Sequence, residues 1–176
     1  DVYWGSLCNN HLKPEFEADK AQALENIQVV LAAKPADMVI TTHVCRGNFR
    51  STYLLTGAYD PIADALFGQT QYDGYFLEYD DERSGGFEPL KYFANNPYKG
   101  RVVLGLISSK FPELEDKAAI KARIKEATQY VPLEQLCLSP QCGFASTEEG
   151  NIMTEAQQWA KVRYVEEIAE EVWGED

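Results

Sequence analysis

Between residues 17 and 34, E-A-D-K-A-Q-A-L-E-N-I-Q-V-V-L-A-A-K, apolar positions recur at helical spacing, so Leu24, Ile27 and Leu31 share one face. Lys34 complements the negative end of the helix dipole, and Pro35 stops the helix. The period then changes. D-M-V-I-T-T, residues 37 to 42, is a short run rich in β-branched residues and predicts a strand ending just before His43. Asp60-Pro61 reads as an N-cap and a favoured first-turn proline opening a short helix, and Y-F-L-E-Y at 75 to 79 reads as the next strand, with Glu78 at its end. A short helical segment follows around 87 to 94. R-V-V-L-G-L-I-S, residues 101 to 108, is apolar without alternation, as expected of a strand buried on both faces. Residues 115 to 130 predict a helix with acidic residues in its first turn and with Ile120, Ile124, Ala127 and Val131 on its buried stripe. The strand Q-L-C-L-S, 135 to 139, leads into the loop P-Q-C-G-F. Last comes a helix capped by Thr154 and Gln157, whose apolar side is read as Trp159, Val162, Ile168, Val172 and Trp173.

The pattern therefore contains four β-to-α units about 30 residues apart, plus a leading helix. Such alternation specifies an α/β fold with a parallel sheet, either an open doubly wound sheet or a barrel. No G-x-G-x-x-G follows any strand, so the dinucleotide-binding variant lacks its glycine fingerprint. A complete (β/α)8 barrel takes roughly 250 residues, so four units amount to a partial TIM barrel, about one half of one. Residues 1 to 176 are read as a single-domain fragment corresponding to the C-terminal half. Half a barrel has two open edges, which call for the missing N-terminal half or a second copy. The opening at Asp1, without an initiator methionine, fits a piece of a longer polypeptide.

Charge narrows the function classes. The formal net charge of -12, from 28 acidic and 16 basic residues, repels nucleic acid and anionic membrane, and no lysine/arginine cluster offsets it locally. No apolar run approaches the roughly 18 residues of a membrane span, and D-V-Y-W-G-S-L-C lacks the regions of a signal peptide, so the expected location is cytoplasmic. In that compartment the four cysteines are expected as free or metal-bound thiols.

Candidate chemistry lies at the strand ends, where parallel α/β folds carry their functional groups. His43 and Cys45 follow the first strand, Glu78 ends the second, and Cys142 follows the fourth. One imidazole, two thiols and a carboxylate make a tetrahedral zinc shell. Each residue also has a plainer reading: a rim histidine, a packed thiol, or one acid of the solvated run E-Y-D-D-E. Cys8 and Cys137 read as packing residues, with Cys137 the reserve ligand. Two thiolates and a carboxylate bring three negative charges to a doubly charged ion. Such a shell suits holding a substrate thiol as a thiolate, with its pKa lowered from about 8.5, better than it suits acidifying water, and sulfur alkylation is the chemistry implied.

H-V-C-R-G-N, F-L-E-Y-D-D-E-R-S-G-G-F-E-P-L, L-G-L-I-S-S-K and S-P-Q-C-G-F resemble the C-terminal catalytic barrel of the cobalamin-independent methionine synthase family, and more closely its short single-domain relatives. The likeness covers nearly the whole chain. It implies zinc on His43, Cys45, Glu78 and Cys142, homocysteine as the thiol substrate and methionine as the product: an activity like that of 5-methyltetrahydropteroyltriglutamate-homocysteine S-methyltransferase. The four units would be strands five to eight of the barrel. The family's D-x-x-W-like segment, which helps hold the amino acid, would begin here at Asp1. Where folate-using members carry a histidine after the seventh strand as proton donor, this chain reads I-S-S-K, with Ser108 near that place. A serine hydroxyl is a much poorer acid than an imidazolium. The methyl donor therefore stays open among methyltetrahydrofolate, a corrinoid and another small carrier.

Three further residues invite substrate roles. Arg46, like Arg50, flanks the H-x-C loop and offers a guanidinium fork to a carboxylate or a polyanionic donor. Asp80 is placed to orient His43 or substrate. R-S-G-G-F at 83 to 87 forms either an anion-binding nest or a simple turn. Two rival readings stand beside methyl transfer. One is a zinc hydrolase on the same barrel, which would need a second histidine such as the distant His11. The other is a non-catalytic zinc-binding half-barrel.

Overall fold

A computed structural model describes residues 2–80, 82–145 and 147–174. Helix α1 (Val2–Asn9) and the longer α2 (Phe16–Ala32) precede strand β1 (Thr41–Val44). Helix α3 (Asp60–Gln69) leads to β2 (Gly74–Glu78), then through two 3-10 turns and the short α4 (Tyr92–Asn95) to β3 (Arg101–Ile107). Helix α5 (Lys117–Ala127), β4 (Leu136–Pro140) and α6 (Glu155–Trp173) complete the chain. The four strands form one parallel sheet in the order β1-β2-β3-β4, each beside its sequence neighbour. Among the described residues no helix is long and apolar enough to cross a membrane.

The two faces of the sheet differ. Val44, Tyr75, Leu77, Val102, Leu104 and Leu136 join the helices in one buried cluster that reaches from Trp4 to Ile168. On the other face His43, Phe76, Val103 and Cys137 lie in register across the four strands, and Phe76 is 36% exposed. Along β3 every residue after Arg101 is buried, as the uninterrupted apolar run requires.

Several boundaries move for identifiable reasons. Strand β1 begins at Thr41, not at Asp37, because its partner β2 begins only at Gly74. Ile40 bonds instead to Asp73, its N–H donating to Oδ2 at 2.6 Å and its carbonyl accepting from Asp73 N at 2.8 Å. His43 is therefore the third residue of the strand and does not follow it. Tyr59 occupies the N-cap of α3, and Asp60 is its first helical residue, with no capping bond from the Tyr59 side chain. Asp116 caps α5 by accepting from Ala119 N at 2.7 Å. In α6 the capping box of Thr154 and Gln157 forms, but Trp159 is 51% exposed, and the buried stripe runs through Lys161, Tyr164 and Ile168. Lys161 takes this place because both oxygens of Glu115 accept from it, at 2.9 and 3.0 Å. Of the expected stripe, Ile168 is buried and Val172 and Trp173 pack against the core, while Lys161 and Tyr164 take the place of Trp159.

Candidate metal centre

The carboxyl ends of the strands deliver four side chains to one place. The chain leaves β1 at Cys45, where α1 lies directly on the backbone: a Cβ at Gly5 would come 2.3 Å from the Cys45 carbonyl oxygen. Gly47, at φ +93, then turns the chain back, and a Cβ there would meet Leu54 at 2.8 Å. The loop is closed by Arg46, whose carbonyl accepts from the backbone N–H groups of Leu54 and Leu55 at 2.8 and 2.9 Å. Gly47 N donates to Cys45 Sγ at 3.3 Å, which fixes the direction of that thiol. On the opposite side, Asn48 Nδ2 donates to Gly143 O at 2.8 Å and so ties the Cys45 loop to the Cys142 loop.

One donor atom from each of His43, Cys45, Glu78 and Cys142 lies within 4.8 Å of the other three. Cys45 Sγ is 3.4 Å from Cys142 Sγ, which in turn is 3.5 Å from His43 Nε2 and 2.9 Å from Glu78 Oε1. His43 Nε2 and Glu78 Oε1 are 3.3 Å apart. Tetrahedral zinc with ligand bonds of about 2.0–2.3 Å separates its donors by about 3.3–3.8 Å, so this donor set fits zinc in kind and nearly in spacing. Glu78 is fully buried, and Arg46 N also donates to its Oε1 at 3.2 Å. Its Oε2 has no hydrogen-bond partner among the described residues.

The four groups perturb one another strongly. The hydrogen bond from Cys142 does most to bring the Cys45 thiol down to about 4, against the opposing effect of burial. That same bond, with burial and the Glu78 charge, pushes Cys142 upward. Burial opposes the charged form of His43, but hydrogen bonds with Cys45 and Glu78 outweigh it and raise the imidazole to about 9. Burial likewise opposes ionised Glu78, yet its bonds with His43 and Cys142, the charge of Lys110 and the Arg46 N–H hold its carboxyl below the usual range. The two sulfurs, 3.4 Å apart, share a proton more readily than both lose one, so metal binding would release protons from the group. The other two thiols behave differently: burial pushes Cys8 up to about 11 and also raises Cys137, which is not in the donor group.

The remaining candidates scatter. Arg46 is 1% exposed, its guanidinium 4.5 Å from the Tyr59 ring centroid, so it is turned into the core and not presented at the surface. Asp80 accepts from Arg83 at 2.9 Å. Ser108 is half-buried, and its hydroxyl accepts from Lys110 N at 3.3 Å. Asp1 lies outside the described residues. Sequence reasoning passed over Lys110, which is buried with Nζ 3.8 Å from Glu78 Oε2. A lysine directly beyond an apolar strand, on the functional rim, was the available signal. A cavity of about 650 Å³ lies elsewhere, near the amino ends of β3 and β4, between Phe93, Arg101, Tyr130 and Gln135, and it carries no comparable group of donors.

The chain is similar to known proteins over nearly its whole length. The chain is 56% identical over 180 residues to the uncharacterized protein YxjG of Bacillus subtilis (strain 168), covering 98% of this chain and 47% of that protein. A Listeria monocytogenes structure solved as a candidate vitamin-B12 independent methionine synthase superposes with a TM-score of 0.73 at 41% identity, over 99% of this chain and 47% of that one. The chain thus spans about half the length of both. A more distant relative, the 5-methyltetrahydropteroyltriglutamate--homocysteine methyltransferase of Cronobacter sakazakii (strain ATCC BAA-894), is 26% identical over 131 residues, 74% of this chain and 16% of that protein. The model of the cobalamin-independent synthase catalytic domain matches residues 7–165, a span that holds all four converging donors, and the chain belongs to that family.

Proposed function

We propose that this chain is the zinc-binding part of a methyltransferase that alkylates a thiol, with homocysteine as the acceptor and methionine as the product. The observation that carries the reading is the convergence of two thiols, an imidazole and a carboxylate from three strand ends within 4.8 Å. Zinc held by this set supplies thiol activation: it lowers the pKa of a substrate thiol while the electron-rich shell preserves sulfur nucleophilicity. The chain's own residues hold that shell. Arg46 N and the His43 ring fix Glu78 Oε1, Gly47 N fixes Cys45 Sγ, and Asn48 ties the loops that carry Cys45 and Cys142. Asp80, just after β2, and Ser108, just after β3, are assigned to substrate binding, and Asp1 joins them on the family resemblance alone. Arg46 acts from beneath, as a buried positive charge.

The architecture that suits this function is the C-terminal half of a (β/α)8 barrel. Among the described residues β1 and β4 each have a single sheet neighbour, and Phe76 is exposed on the face opposite the helices. Both features suit completion by an N-terminal half or by a second copy. The methyl donor is a small carrier, folate or corrinoid among the candidates. The test is metal analysis of the reduced protein followed by an assay for thiol methylation. About one zinc per chain and homocysteine-dependent methyl transfer that tracks zinc occupancy are expected. Absence of stoichiometric zinc would defeat the reading. Ester or amide hydrolysis tracking zinc would favour a hydrolase.

A further inference from the structure

Glu78 is a divided carboxylate. Its Oε1 faces Cys142 Sγ, His43 Nε2 and Arg46 N, whereas Oε2 looks toward the buried ammonium of Lys110 at 3.8 Å. Lys110 is only 1% exposed and also donates to Gln141 Oε1 at 2.7 Å. Gln141 directly precedes Cys142, and its backbone N–H is held by Ile107 O at 3.1 Å. One ammonium thus joins the end of β2 to the loop after β4, the two elements that bring Glu78 and Cys142 together. The support under Lys110 is itself fixed. Its backbone N donates to Ser108 Oγ, Ser108 N donates to Glu115 Oε1 at 2.8 Å, and Glu115 is clamped by Lys161.

A buried ammonium is costly unless it is paired, and both partners of Lys110 belong to ligand-bearing elements. A carboxylate free to turn can meet a cation with both oxygens, and a charge fixed beside one of them prevents this. We propose that Lys110 is a positioning residue of the metal centre: it holds Glu78 to a single donor oxygen and, through Gln141, sets the Cys142 loop at ligand distance. The proposal rests on reading the four donors as a zinc site and adds a residue that touches none of the reacting atoms.

The test compares two ion-paired lysines at opposite ends of the sheet in the full protein. Lys110→Met keeps the side-chain length and removes the charge. Zinc affinity, measured by competition with a chromogenic chelator, is expected to fall about 10- to 100-fold, the range for loss of an outer partner of a metal ligand. Cobalt-loaded Lys110→Met is expected to lose visible d–d intensity as the carboxylate turns and the coordination number rises. Lys34→Met, which breaks the pair with Asp73 at the amino end of the sheet, is expected to lower the melting temperature while zinc affinity stays within about twofold of the parent, well short of that range. Unchanged affinity and an unchanged cobalt spectrum in Lys110→Met would overturn the proposal, as would an equal loss of affinity in Lys34→Met. If Lys110→Met does not fold, Gln141→Leu carries the test: severalfold weaker binding supports the proposal and parental affinity refutes it. Failure of the unaltered protein to take up zinc would defeat the functional reading and this inference together. Normal uptake with an indifferent Lys110→Met would defeat this inference alone.

Discussion

Tyr75 and Tyr79 lie four residues apart at opposite ends of β2, both fully buried, yet their hydroxyls have opposite fates. Tyr75 OH donates to Thr70 O at 2.9 Å, accepts from Tyr72 N at 3.3 Å and lies 2.9 Å from Thr70 Oγ1. Tyr79 OH has no hydrogen-bond partner among the described residues. The contrast extends to the two ends of the sheet. At the amino end Asp73 accepts from Lys34 at 2.5 Å and from Ile40 N at 2.6 Å, and Tyr98 also donates to it. At the carboxyl end the side-chain nitrogens of Arg46, Glu78 Oε2, Ser109 Oγ and Gln141 Nε2 are buried without a hydrogen bond among the described residues, although Lys110 lies 3.8 Å from Glu78 Oε2. Buried polar groups are normally satisfied, and exceptions concentrate where structure is given over to function. The amino end of the sheet is thus closed by its own hydrogen bonds, while the carboxyl end, where parallel α/β folds carry their functional groups, keeps buried polar atoms that no described residue satisfies.

Four substitutions and one titration test the contrast between the two ends. The largest effect is expected at the carboxyl end: Cys142→Ser should weaken zinc binding by more than about 100-fold, beyond the loss seen for outer partners of a ligand, as read by chelator competition. At the amino end Tyr75→Phe should cost about 1–3 kcal/mol in denaturant unfolding, since it strips Thr70 O and Tyr72 N of a partner, with zinc affinity unaffected. Tyr79→Phe should change stability by no more than about 0.5 kcal/mol, because no bond is lost. Equal costs for the two tyrosines would erase the distinction. The last test uses acid. Burial favours the neutral form of Asp73, but bonds from Lys34, Tyr98 and Ile40 N outweigh it and hold the carboxyl at about 2, against 3.8 ordinarily. A carboxyl lowered in the folded state contributes stability above its ordinary pKa, and that contribution disappears as pH falls from about 4 toward 2. For this partly exposed pair the loss should be about 1 kcal/mol and shrink with salt, and Asp73→Asn should remove the pH dependence.

How much of this was legible depends on how local the cause was. Strand β3 and the α5 stripe of Ile120, Ile124, Ala127 and Val131 could be read because burial is written directly into their apolar pattern. The start of β1 could not, because Met38 and Val39 look like strand residues but have no partner once β2 begins at Gly74. The α6 stripe was legible in part: Ile168, Val172 and Trp173 do face the core, but Lys161 counts as polar in a sequence, and Glu115, the residue that makes it a core residue, lies 46 positions away. The four donors were legible because strand ends share a rim in any parallel sheet, so position alone selected them from the other thiols. The direction of Arg46 was not, since it is set by the Gly47 turn and the Tyr59 ring beneath. Lys110 was hidden likewise, because its meaning depends on Glu78 and Gln141, which lie about 30 residues away on either side.

The account stands on four side chains sharing one ion, and zinc X-ray absorption of the reduced protein tests this most directly. The expected shell has two sulfur scatterers at about 2.3 Å and two nitrogen or oxygen scatterers at about 2.0–2.2 Å. A shell without sulfur, or no zinc bound in proportion to protein, would contradict it.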